Sequence, residues 1–146
     1  MKYFNLFKQY HFLGLTMALL FASCQSAPPP VPATQSRVIQ TRIFEASNQQ
    51  ALMHAILITL QDSGYNIVKV NLSSYEVSAQ KGDHILLSVM TYPYNKTHFA
   101  VRVNAQKYQI GDFIGKTSNY VIITDPTFYQ INFFDPLSKT LFLQKE

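Results

Sequence analysis

The stretch Ser47-Asn48-Gln49-Gln50-Ala51-Leu52-Met53-His54-Ala55-Ile56-Leu57-Ile58-Thr59-Leu60-Gln61-Asp62-Ser63-Gly64 decides the fold. Leu52, Ala55, Ile56, Thr59 and Leu60 recur at the spacing that draws one apolar stripe along a helix, with Met53 and Leu57 beside it. Ser47, three residues before Gln50, fits a capping box, and Gly64 supplies a left-handed stop. A helix over 48–63 follows. On its N-terminal side, Val38–Phe44 is β-branched with partial alternation and reads as a first strand. On its C-terminal side four more strands are expected. Tyr65–Val70 is bounded by Asn71, and Tyr75–Gln80 alternates, with Tyr75, Val77 and Ala79 on one face. After the turn Lys81-Gly82-Asp83, Ile85–Tyr92 is nearly all apolar, as a central strand covered on both sides or lying at an interface would be. His98–Gln106 alternates again, Phe99, Val101, Val103 and Ala105 inward and Arg102, Asn104 and Gln106 outward.

Beyond these strands, residues 107–118 carry Gly111, Gly115 and three bulky apolar side chains, and read as an irregular loop packed back on the core. Tyr120–Thr124 fits a short strand. Asp125-Pro126 then provides an N-cap with Pro at the first helical position, and Asp135-Pro136 repeats the device. Pro136 predicts a C-terminal helix bent or split at 134–136, with Phe134, Leu137, Leu141 and Phe142 along its apolar stripe. The fold class is therefore α+β, an antiparallel sheet of about five strands with two helices on one face, in the order β-α-β-β-β-β-α.

Composition agrees with one such domain and an appendage. Of 146 residues, 47% are apolar and only 14% charged, against about a quarter charged in an ordinary soluble domain. Seven Pro, five Gly and a single Cys exclude collagen-like, disordered and disulfide-stapled classes.

The appendage is N-terminal. Lys2 and Lys8 precede an apolar run, Phe12–Ala22, that ends in Ser23-Cys24. Eleven helical residues cover about 16 Å, half of a ~30 Å hydrocarbon core, so the run reads as a secretory signal rather than a spanning helix. Leu20-Phe21-Ala22-Ser23-Cys24 resembles a bacterial lipobox, which implies that Cys24 becomes the lipidated first residue of the mature chain. Cys24 is the only Cys, so it has no intramolecular partner. Gln25 in place of Asp implies, by the sorting pattern of such proteins, the outer membrane rather than another envelope membrane. Pro28, Pro29, Pro30 and Pro32 then make 24–36 a tether of polyproline character, its twelve residues after Cys24 reaching about 35 Å. The expected organisation is a signal peptide over 1–23, a lipidated Cys and tether over 24–36, and one domain over 37–146. Loss of Lys2 and Lys8 from twelve basic residues leaves ten against eight acids, and those ten are scattered rather than gathered into a nucleic-acid footprint.

Two segments carry a family likeness. Leu60-Gln61-Asp62-Ser63-Gly64-Tyr65 and Tyr129-Gln130-Ile131-Asn132-Phe133-Phe134-Asp135-Pro136-Leu137-Ser138-Lys139-Thr140-Leu141-Phe142-Leu143 resemble the hallmarks of a family of small bacterial outer-membrane lipoproteins. The likeness covers about residues 37–146 and implies an envelope role with no assigned chemistry. The element order is also similar to that of the helix-grip modules of BamC-type outer-membrane assembly lipoproteins, a topological likeness that carries no function by itself.

Candidate chemistry is sparse. His54, His84 and His98 have no second His or Cys at ligand spacing, so neither metal nor cofactor is expected. Asp125 and Asp135 are explained by capping and Asp83 by a turn, and no two carboxylates are forced together as acid–base catalysis requires. A hydrolase would need such a pair converging in a cleft. Phe44, Phe99, Phe128, Phe133, Phe134 and Phe142 are expected in the core. Tyr92, Tyr94, Tyr108 and Tyr120 fall near turns, where amphipathic rings meet partners, and form the candidate partner surface. The expectation is a non-enzymatic, lipid-anchored lipoprotein on the periplasmic face. It would serve an outer-membrane or secretion complex as accessory or assembly partner. The alternative is a module holding a small apolar ligand between last helix and sheet, in a groove lined by Phe128, Phe134 and Tyr120.

Overall fold

A computed structural model of the chain describes residues 33–109 and 119–144. The signal peptide, Cys24, the tether through Pro32 and residues 110–118 of the expected loop lie outside the described residues. Within them the order is α1 (Ala33–Gln40), β1 (Thr41–Glu45), α2 (Gln49–Asp62), β2 (Asn66–Asn71), β3 (Glu76–Lys81), β4 (Ile85–Pro93), β5 (His98–Gln109) and β6 (Asn119–Ile122). The last helix follows: α3 (Pro126–Tyr129), a π turn (Gln130–Phe134) and α4 (Asp135–Leu143). The strands form one antiparallel sheet in the order β1-β5-β4-β3-β2, with β6 also pairing β5. The α+β class, with helices on one face of an antiparallel sheet, is as the sequence predicts.

Strand periodicity decides which side chains meet the helices. Val77, Leu87, Val89, Phe99, Val101, Val103 and Ala105 face inward and are buried. Against them pack Leu52, Met53, Ala55, Ile56 and Leu60 from α2, then Tyr129, Phe133, Phe134 and Leu137 from the last helix. The two helices also meet each other through Thr59 Oγ1 and Thr140 Oγ1, 3.0 Å apart. Helix α2 stops as expected at Gly64, φ +79°, where the Gly64 N–H bonds Gln61 O and the Tyr65 N–H bonds Leu60 O, both at 2.9 Å. This paired closure satisfies carbonyls that the helix end would otherwise orphan.

On its outer edge β5 pairs with β1 as far as Arg102 and with β6 from Gln106 onward, which leaves a break in the ladder. Two donor–acceptor contacts fill it. The Ile123 N–H bonds Ala105 O at 2.8 Å, and the Ala105 N–H reaches the Tyr129 hydroxyl at 3.4 Å. That hydroxyl donates to Ile123 O at 2.6 Å and accepts from Gln40 Nε2 at 3.2 Å. One buried phenol thus ties α1, β5, the chain before α3 and the last helix together.

Several expectations are corrected. The end of the tether and the start of the Val38–Phe44 strand are instead helix α1, and β1 begins at Thr41. No Pro or Gly occurs between Pro32 and Gly64, and Ile39 and Gln40 lie on the face of α1 that meets the core. Asn48, not Ser47, caps α2, its Oδ1 accepting the Ala51 N–H at 2.8 Å. The sheet has six strands rather than about five. Residues 107–109 are not loop but the end of β5, paired with β6 through Tyr108 opposite Tyr120.

At the C-terminus Asp125 caps as expected, accepting the Thr127 N–H at 2.9 Å, but Asp135 lies inside the helix and accepts from Gln130 Nε2. The break near Pro136 is a widening: the Asp135 N–H bonds Gln130 O, one residue further back than in an α-helix. Adding a residue to that turn relieves the clash that the Pro136 ring would otherwise make with the carbonyl four residues earlier. Phe142 is 64% exposed rather than core, because it stands about 100° around the helix from Leu141, which packs inward.

Candidate docking surface

The helices cover one face of the sheet, and the strand register places a second set of side chains on the other. Across it run Glu76, Met90, Arg102 and Thr41 in one row and Ser78, Ser88 and Asn104 in the next. Gln80, Leu86, Gln106 and Ile122 form a third row. Large apolar groups remain accessible there: Met90 is 41% exposed, Tyr92 42% and Ile122 49%. The nearly apolar β4 is therefore only half explained by the core. Leu87, Val89 and Thr91 lie beneath the helices, whereas Met90 and Tyr92 face outward.

Helix α1 borders this face and gives it relief. Ser36, Arg37 and Gln40 form one wall of a depression of about 530 Å³. Ser88, Met90, Arg102, Asn104 and Ile122 complete its lining. Ser88 and Asn104 also line a neighbouring depression of about 230 Å³ that runs to Val68 on β2. Val68 is turned to this side by a bulge between Ile67 and Lys69. Among the described residues no carboxylate lines the larger depression. Among the described residues neither the Arg37 nor the Arg102 guanidinium has a hydrogen bond or ion pair. The nearest acid by register is Glu76, two strands from Arg102, and its Oε1 accepts from Ser88 Oγ at 3.3 Å. Asn104 Oδ1 is buried and unpaired, a state that ordinarily costs about 1–3 kcal/mol.

The tyrosines expected at a partner surface are divided. Tyr92 lies on the open face beside Ala100, and Tyr108 and Tyr120 lie on the same face eight residues further along β5, about 26 Å away. The last two rings stack tilted, with centroids 5.3 Å apart. Tyr94 sits apart in the β4–β5 connection, where its N–H bonds His98 O. Tyr92 and the Tyr108–Tyr120 pair frame the depressions from opposite ends.

Other expected groupings do not form. Phe128, Phe134 and Tyr120 share no groove: Phe134 is 1% exposed in the core, Phe128 packs edge-on to Tyr129, and Tyr120 is on β6 facing away. His54 and His84 are exposed on separate elements, and His98 Nδ1 lies 3.0 Å from Thr97 Oγ1. Among the described residues no three His, Cys, Asp or Glu gather as a metal site would require. A third depression, about 620 Å³ between α2 and α4, holds Asp62, Asp135 and Lys139, charges of both signs.

The sequence reading placed Arg102, Asn104 and Gln106 outward but did not single them out, and it missed Arg37, Met90 and Ile122 as a group. Only the alternation of β5 hints at them, since α1 supplies the wall. No family model matches the chain, and no curated protein matches it in sequence.

Proposed function

We propose that this chain is a non-enzymatic envelope lipoprotein. Lipid on Cys24 holds it at the periplasmic face of the outer membrane, and its domain serves an outer-membrane or secretion complex as accessory or assembly partner. The observation that carries the reading is the run Leu20-Phe21-Ala22-Ser23-Cys24, a small-residue exit from a short apolar segment that ends in the chain's single cysteine. The sheet face that the described helices leave open supports the docking half: exposed aliphatic and aromatic side chains interleaved with polar ones are the composition of recognition surfaces. Closure of the space beneath the last helix by Phe133, Phe134 and Leu137 favours a partner over an apolar ligand held there.

Fractionation tests the anchor. Wild-type chain is expected in the membrane fraction and Cys24→Ala in the soluble or unprocessed pool. A Cys24→Ala chain that is still processed and still sediments with membranes would contradict the reading.

A further inference from the structure

The depression between α1 and the open sheet face is chemically one-sided. Among the described residues Arg37 and Arg102 border it without a counter-charge, although an unpaired guanidinium offers five donors in a planar fork suited to carboxylate. Met90 and Ile122 supply apolar contact next to them. The relief continues through Ser88 and Asn104 to β2. Three strand spacings separate β5 from β2, about 14 Å, the length of roughly four extended residues.

The middle of this path discriminates among anions. Ser78 and Ser88 line the path with hydroxyls, and Gln80 and Gln106 with neutral amides. Serine hydroxyls and side-chain amides can donate to and accept from a peptide backbone, whereas the acyl chain of an anionic amphiphile offers them no partner.

We propose that the open face of the sheet binds an extended acidic segment of a partner protein. Its carboxylates lie on Arg37 and Arg102, its apolar side chains on Met90 and Ile122, and its backbone over Ser88 and Gln106. The proposal rests on the partner-docking reading and names the chemistry of the partner.

The test uses the full-length chain in mild detergent and a fluorescent octapeptide alternating Asp and Leu, read by polarisation. The expected result is binding that weakens about fivefold for each of Arg37→Gln and Arg102→Gln and falls as salt rises from low to physiological levels. An otherwise identical Asn/Leu peptide is expected to bind at least tenfold more weakly. Ile122→Glu, on an exposed edge strand, places a repelling charge in the depression and is expected to abolish binding with an unchanged thermal melt. Absence of binding, indifference to salt, equal binding of the Asn/Leu peptide, or equal competition by dodecanoate would overturn the proposal.

A photocrosslinker placed at Met90 or at Tyr94 in intact cells separates the two levels of the argument. Adducts at Met90 that vanish in the Arg37→Gln/Arg102→Gln chain support the acidic segment. Adducts at Tyr94 alone overturn this surface while the docking reading stands, and adducts at neither position overturn both.

Discussion

Tyr129 shows how a single hydroxyl can hold a small domain together. It is fully buried, and its oxygen serves Gln40 Nε2, the Ala105 N–H and Ile123 O at once. Gln40 is itself 6% exposed, so Tyr129→Phe would leave a buried amide without that acceptor. Such an orphan costs about 1–3 kcal/mol, to be read as a lowered urea midpoint. Combining Tyr129→Phe with Gln40→Leu is expected to cost less than the two changes separately, because the second removes the group that the first orphans. Strict additivity would break the assignment. Tyr65 makes a different prediction. Burial raises the pKa of its phenol above the ordinary value of 10.0. The unfolded chain therefore sheds this proton first as pH climbs past about 10, and the folded state loses stability from there upward. Melting temperatures over pH 8 to 11 should fall less steeply for Tyr65→Phe than for the wild type.

Gly64 is the test of how α2 ends. At φ +79° an added Cβ would meet only Lys81 Cε at 3.8 Å, so Gly64→Ala changes backbone strain with little packing change. The expected loss is about 1–2 kcal/mol in chemical denaturation; an unchanged midpoint would remove Gly64 from its role. Such elements were legible because their signals are local: the stripe from Leu52 to Leu60, the stop at Gly64 and the alternation from Phe99 to Ala105 each announce one structure. Helix α1 was hidden by the β-branched pair Val38-Ile39 next to Thr41, since its helical state depends on Gln40 reaching Tyr129, 89 residues away. The π turn was half visible: Pro136 announced a disturbance, but whether a helix breaks or widens depends on keeping both Phe134 and Leu137 in the core. The candidate surface was least legible. Outward residues of β5 can be named from alternation, yet an outward face becomes a depression only when α1 folds along its edge.

At the scale of the whole molecule, the proposed anchor and the domain would divide the labour. On the proposed reading, the eight residues from Gln25 to Pro32 that precede α1 would span about 25 Å when extended and let the domain present its open face to a partner while the lipid holds it at the membrane. A single acyl chain binds membranes only marginally, whereas the several chains of a bacterial lipoprotein hold firmly. Shortening 25–32 by half is therefore expected to leave fractionation unchanged while reducing the Met90 crosslinks. Undiminished crosslinking would show that reach is immaterial. The most direct test of the account is the intact mass of the purified mature chain after growth with labelled palmitate. The account predicts a polypeptide that begins at Cys24 and carries the label on its N-terminal residue. An unlabelled chain, or one that retains residues 1–23, would contradict it.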